Sequence, residues 1–198
     1  MKSGRSRLVG WAATPHRLDL LVASHLNDAL AGRRNQIRFW KTLSAVGGPN
    51  IWRALAAVAT VGLMRRHQRR TAALVAGTMT GAAMLSGGTK VLVDRHRPVV
   101  AVVIDRATSK SFPSGHAMTA FVTAGLVVLL LWPGRPARQR ALLLIAAALI
   151  VLAISFSRLI LGVHFLSDVL GGWLIGGLWL SCVYRLLARA ARNRQLAG

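Results

Sequence analysis

The stretch Ser157-Arg158-Leu159-Ile160-Leu161-Gly162-Val163-His164-Phe165-Leu166-Ser167-Asp168 joins two strongly apolar runs, 141–156 and 169–183, each of which reads as a membrane span. An Arg, a His and an Asp at such a junction are costly near hydrocarbon and tend to be functional. His164 and Asp168 are four apart, so a helix already running at His164 sets both on one face. The carboxylate then holds one imidazole nitrogen and leaves the other to attack, the orienter–nucleophile arrangement of many catalytic sites. Arg158 adds a fixed cation whose planar fork suits phosphate oxygens. A His and an Asp one turn apart are more often an incidental surface or packing pair, so the rest of the chain must decide.

Outward from that stretch, the 198 residues are 54% hydrophobic, a profile of a single-domain integral membrane protein. The net charge of +21, from 26 Lys+Arg against 5 Asp+Glu, raises nucleic-acid binding as a class. The cations sit mostly in short segments beside apolar runs, where they set topology and meet anionic headgroups, and no nucleic-acid partner is expected. There is no Glu, and Asp19, Asp28, Asp94, Asp105 and Asp168 are scattered. A two-metal or Ca²⁺ site needs several oxygen ligands close together, so neither metal nor cofactor is expected. Phosphate, if handled, falls to cations and histidines. Cys182 is the one cysteine, which excludes an intramolecular disulfide and places it as a packed helix residue. No cleavable signal peptide is expected, because the first apolar run comes late.

Runs at 49–64, 71–93, 115–132, 141–157 and 166–187 are each apolar enough for a transmembrane helix. The predicted fold is therefore an all-α, integral membrane helical bundle of about five transmembrane helices plus an N-terminal interfacial helical region. Its parts are a basic, interfacial segment 1–48, a membrane-embedded domain 49–187 and a basic tail 188–198. Helices are expected over 18–31 and 35–45, too polar to span. Gly77-xxx-Gly81 and Gly172-xxx-Gly176 read as close-packing signals. Eleven cations in three clusters (Arg65, Arg66, Arg69 and Arg70; Arg135, Arg138 and Arg140; Arg185, Arg189, Arg192 and Arg194) belong in the cytoplasm by the positive-inside rule. This predicts a multi-pass plasma-membrane protein with a cytoplasmic C-terminus and outward-facing connections at 94–114 and 158–165. The eight Lys/Arg of residues 1–48 conflict with an outward N-terminus.

Those outward connections carry the unusual residues. Lys90 and Arg97 are two helical turns apart and share a face until Pro98 stops the helix. Phe112-Pro113-Ser114-Gly115-His116 precedes the third run, with Pro at the helix start and Gly allowing close backbone approach, the ingredients of an anion site. Each alone has a bland reading, a snorkelling anchor or a chance His. Together they bring three cations, a helix N-terminus and two histidines to one face of the membrane, a metal-free site for an anion with three oxygens.

At this point the sequence resembles a known family. K-x6-R-P from Lys90 to Pro98, P-S-G-H from Pro113 to His116, and S-R-x5-H-x3-D from Ser157 to Asp168 match the three-part signature of the type 2 phosphatidic acid phosphatase superfamily. That group includes membrane lipid phosphatases, soluble bacterial acid phosphatases and vanadium-dependent haloperoxidases. The resemblance covers roughly 45–187 and implies a phosphatase. By it, His164 attacks phosphorus to form a phospho-histidine, Asp168 orients His164, and His116 protonates the leaving oxygen. Lys90, Arg97 and Arg158, with Ser114 and the Gly115 amide, hold the phosphoryl oxygens. Membrane members commonly have six spans, and here the first is missing or replaced by residues 18–45.

The apolar start of the loop 99–112 suggests a mouth dipping into the outer leaflet, with a lipid phosphate as substrate and membrane lipids around it. The resemblance offers polyprenyl pyrophosphate (undecaprenyl pyrophosphate in cell-wall lipid recycling), phosphatidylglycerophosphate or phosphatidic acid, with the first preferred. Rival readings are a lipid phosphotransferase passing the phosphoryl group to an alcohol, and a non-catalytic lipid-binding or transport protein. Intact His116, His164 and Asp168 argue against the latter, since binding needs no nucleophile.

Overall fold

The computed structural model describes residues 16–99 and 109–196, with side chains to 189. Its helices are α1 (Arg17–Leu30), α2 (Arg34–Val46), α3 (Pro49–Arg65), α4 (Arg69–Val93), α5 (Gly115–Leu131), α6 (Ala137–Ile160) and α7 (Leu166–Leu196), and there is no strand among the described residues. The all-α reading holds, and α1 and α2 take the two places expected for interfacial helices.

Apolar side chains pack α5 against α3, α4, α6 and α7. Met118, Val122 and Leu126 of α5 meet Val75, Met79 and Ala82 of α4 and Leu180 of α7 in the main core. Gly172 lets α7 lie directly on the start of α5: a Cβ there would stand 3.0 Å from the Ser114 carbonyl oxygen. Gly176 likewise faces Val122, so the second small-residue pattern packs as expected. In the first, only Gly81 packs, against Trp179, whereas Gly77 faces open space. Cys182 is also exposed rather than packed.

The outer faces stay apolar. No residue of α3 is buried, and Val58 is 71% exposed. Leu142, Ile145, Leu149 and Leu152 on α6, and Leu170, Leu174 and Leu178 on α7, are exposed as well. So much uncovered hydrocarbon on consecutive helices is what a lipid-facing surface requires. Residues 137–160 and 166–189 are long and apolar enough to cross a membrane, whereas α5 is apolar but shorter, at 17 residues. By length and composition, then, two of the five runs qualify outright.

Local chemistry sets the junctions that matter. Ser114 caps α5, its Oγ accepting from the Ala117 amide, so Pro113 stands before the helix and not inside it. The helix expected to run to Arg97 and stop at Pro98 ends four residues sooner: α4 ends at Val93, and Asp94 takes the left-handed conformation with φ 53°. Residues 95–99 leave it without regular structure. α1 and α2 cover the α6–α7 junction, where Leu30 is buried among Ile160, Leu161 and Val163.

Candidate active site

Four helix ends converge: the C-termini of α4 and α6 and the N-termini of α5 and α7. Asp168 lies in the first turn of α7, three residues after Phe165, and its Oδ2 accepts the Phe165 amide at 2.9 Å, half of a capping box. His164 precedes the helix, so the two side chains do not share a helical face as the spacing predicts. They meet across the helix start, with Nδ1 3.3 Å from Oδ2. On the other edge of the ring, Arg97 Nη1 lies 3.2 Å from Nε2. A guanidinium only donates, so Nε2 carries the lone pair and Nδ1 the hydrogen given to Asp168. The fully buried His164 imidazole is pushed from the ordinary 6.5 down to about 4, chiefly by burial; the bond to Asp168 opposes the fall and the Arg97 charge adds to it. A neutral imidazole, oriented by a carboxylate and with its unprotonated nitrogen turned to Arg97, is a nucleophile in waiting.

Lys90, Arg97, Ser114, Gly115, His116, Arg158, His164 and Asp168 all come to this one end of the bundle. Lys90 Nζ donates to Ser109 Oγ at 3.1 Å and lies 3.9 Å from where a Cβ on Gly115 would stand, which joins the first two motifs. Arg97 donates through Nε to the Ser109 carbonyl at 2.7 Å and through Nη1 to the Val163 carbonyl at 2.5 Å. Arg158 is buried and donates to Ser44 Oγ from α2. Arg97 and Arg158 both act electrostatically on His164 and on His116. The backbone ties the third motif to the second, since the Ser114 amide donates to the Asp168 carbonyl at 3.0 Å.

Two residues decisive for this geometry carry no prediction from sequence. Arg95, 2% exposed, donates from Nη1 to Asp168 Oδ1 at 2.7 Å and from Nη2 to Asp19 Oδ2 at 2.7 Å. Its guanidinium also lies over the Phe165 ring, 4.6 Å from the centroid. Asp19, on α1, accepts the Ser167 amide at 2.9 Å and the Ser167 hydroxyl at 2.6 Å, and so caps the start of α7 from another helix. Burial works to raise the Asp19 pKa, but the Ser167 and Arg95 bonds outweigh it and hold the carboxyl below its usual range. Ser111 Oγ completes the set with a short bond to Asp168 Oδ2. Read as a helix, Arg95 points away from Arg97. In the irregular segment after Asp94 both reach the site, while Asp94 pairs with Lys110 at the surface, 2.5 Å apart. Asp19 read as mere polarity in an interfacial helix. No signal in the sequence links it to a residue 76 positions away.

Against this geometry, residues 71–192 match the PAP2 superfamily. Phosphatidylglycerophosphatase B of Bacillus subtilis is 34% identical over 105 residues, 52% of this chain, which spans only about half (51%) of that relative. Decaprenylphosphoryl-5-phosphoribose phosphatase of Mycolicibacterium smegmatis is 33% identical over 161 residues, covering 77% of this chain and 79% of the relative. The fold of the crystal structure of a transmembrane PAP2 type phosphatidylglycerolphosphate phosphatase from Bacillus subtilis superposes with a TM-score of 0.79 at 22% identity, over 92% of both chains. The chain belongs to the PAP2 superfamily. Within it, the relatives matched are named as phosphatases.

Proposed function

We infer that this enzyme removes phosphate from a membrane lipid without a metal ion, through a phospho-histidine at position 164. One observation carries the reading. Of His164 and His116, both under the charge of Arg97 and Arg158, only His164 is held by a carboxylate among the described residues, with its unprotonated nitrogen turned to Arg97. His164 Nε2 forms a bond to phosphorus while the bond from phosphorus to the lipid oxygen breaks, and the electron pair stays on that oxygen. His116 gives it a proton. Water then attacks phosphorus, phosphate leaves, and the imidazole is restored. Lys90, Arg97 and Arg158, with the Ser114 cap and the Gly115 amide, hold the three phosphoryl oxygens as charge develops. Among the described residues no three His, Cys, Asp or Glu side chains gather as metal ligands, which supports leaving this task to the cations.

The substrate is a phosphorylated lipid whose chains stay beside the exposed apolar faces of the bundle. A polyprenyl phosphate or pyrophosphate is favoured over a phospholipid phosphate, because the relative matched over most of its length is named for a decaprenyl substrate. The membrane domain is taken as residues 49–187, with α1 and α2 at its surface, and α7 carries the chain on past it to Leu196. The clusters at 65–70, 135–140 and 185–194 lie at the ends of the helices away from the site. By the positive-inside rule they, and the C-terminus, are cytoplasmic, so the site opens on the extracytoplasmic side of a multi-pass plasma-membrane protein.

The purified protein in detergent should release phosphate from a panel of lipid phosphates in the presence of EDTA, and vanadate should inhibit. Activity lost on chelation and restored by Mg²⁺ would overturn the mechanism. For topology, the exposed Cys182 is first changed to Ser. A cysteine at Asp105, outside the described residues, should then be labelled in intact cells by an impermeant reagent, and one at Arg138 should be shielded. The reverse pattern puts the site in the cytoplasm.

A further inference from the structure

Beside His116 the protein is hollow. A cavity of about 420 Å³ is lined on one side by His116 and Arg158 and on the other by Lys41, Ser44, Asn50 and Ile51, from the end of α2 and the start of α3. Neither His164 nor Asp168 reaches it. In a displacement at phosphorus the attacking and leaving atoms lie roughly in line on opposite sides. With His164 attacking and His116 protonating, the reading on which this inference rests, the cavity is the place of the leaving group.

Its chemistry is specific. The residues lining it include no carboxylate. None of the ion pairs among the described residues involves Lys41. Asn50 spends its side-chain oxygen on Arg53 at 3.3 Å, which leaves its amide nitrogen as a donor. Gly48 brings the backbone close to the acid: a Cβ there would stand 3.8 Å from His116 Nε2 and only 2.9 Å from the Ala45 carbonyl oxygen. Ile51 opens the same hollow onto the exposed apolar face of α3, where Leu55 and Val58 continue outward. A simple lipid alcohol needs no cation or amide donor at this point. A leaving group that begins with an anion and continues as hydrocarbon needs both halves.

The geometry points to a second-phosphate subsite at the α2–α3 hinge, in which Lys41 and Asn50 bind a phosphate retained by the lipid after the bond breaks. For a lipid pyrophosphate the balance is direct. The bond from His164 Nε2 to the terminal phosphorus forms, the bridging P–O bond breaks, and the electron pair stays on the bridging oxygen. That oxygen then belongs to the lipid monophosphate held by Lys41. The same chemistry accommodates a lipid that carries a phosphodiester on the leaving side.

The test uses the purified full-length protein in detergent with farnesyl pyrophosphate and farnesyl phosphate, which share a tail and differ by one phosphate. Phosphatidylglycerophosphate serves as the diester arm. Lys41→Gln should lower kcat/KM on the pyrophosphate at least about tenfold more than on the monophosphate, the scale of one lost charge-assisted bond to phosphate. Lys41→Arg should restore most of the difference, and Asn50→Ala should shift the ratio in the same direction by less. A comparable shift on phosphatidylglycerophosphate extends the subsite to diesters, whereas a shift on the pyrophosphate alone confines it to the bridging oxygen. Equal losses on pyrophosphate and monophosphate, or no loss on either, overturn the subsite. Wild type that releases phosphate from no arm overturns the phosphatase reading instead, so the two failures are distinguishable.

Discussion

The two histidines stand in opposite surroundings. Around His164 the protein is filled: Asp168, Arg95, Asp19, Ser111 and Ser167 form a buried polar chain in which each carboxylate takes several bonds from groups fixed on other segments. Around His116 there is a cavity, an exposed lysine and a glycine hinge. Charges buried as deeply as Arg95 and Asp168 persist only when their bonds are satisfied, and once satisfied they hold one geometry. A nucleophile needs that rigidity, because small displacements from the line of attack are expensive. A leaving-group site needs room, because what departs differs from one lipid to another. The difference thus places constancy of mechanism on the α7 side and choice of substrate on the α2–α3 side.

Breaking the filled side should cost most. His164→Ala should lower phosphate release by about 10⁴-fold or more, the scale on which loss of a covalent nucleophile is felt, and no acid-labile phospho-enzyme should be trapped. A trapped phospho-enzyme in the folded variant sinks the assignment. His116→Ala removes a proton donor only. Its loss should reach about 10²–10⁴-fold on a lipid alkyl phosphate and be much smaller on an aryl phosphate, whose leaving group needs no proton. Equal losses on the two substrates would overturn the assignment of His116 as the proton donor.

Asp19→Asn and Arg95→Lys sharpen the comparison, since neither residue touches substrate. Each should lower kcat by tens of fold, within the roughly 10²-fold that a misplaced reactive group costs, and leave KM nearly unchanged. If the chain from Asp19 is only a staple, thermal stability will fall while kcat of the folded protein holds.

The smallest effect is on pH. Because burial holds the His164 pKa near 4, the free enzyme keeps its neutral imidazole well below 6.5, and kcat/KM should not fall on the acid side with the pKa of an ordinary histidine. The sign for stability follows from the same depression. Between about 6.5 and 4 the unfolded chain binds a proton that the native protein refuses, so stability decreases as pH falls through that window. Arg97→Ala removes a charge that adds to the depression, so the acid limb should move upward in pH.

The sequence by itself determined the helical class, the places of the seven described helices to within a few residues except at the end of α7, which runs to Leu196 and not 187, and the eight residues gathered at the site. Apolar runs longer than a helical turn, broken by Arg clusters, admit few other readings. The three motifs are local patterns whose chemistry is written in residue type and spacing. What tertiary structure decided is how those residues are held. The left-handed Asp94 ends α4 early, so Arg95 turns inward instead of away, a reversal that helical periodicity cannot anticipate. His164 meets Asp168 across a helix start and not along a helix face. Asp19 and Ser44, on helices that read as interfacial cover, become partners of Arg95 and Arg158 because α1 and α2 fold over the α6–α7 junction. Such pairings join residues 76 and 114 positions apart, and they depend on how helices pack. Packing is a property of whole surfaces, and no short stretch of sequence carries it.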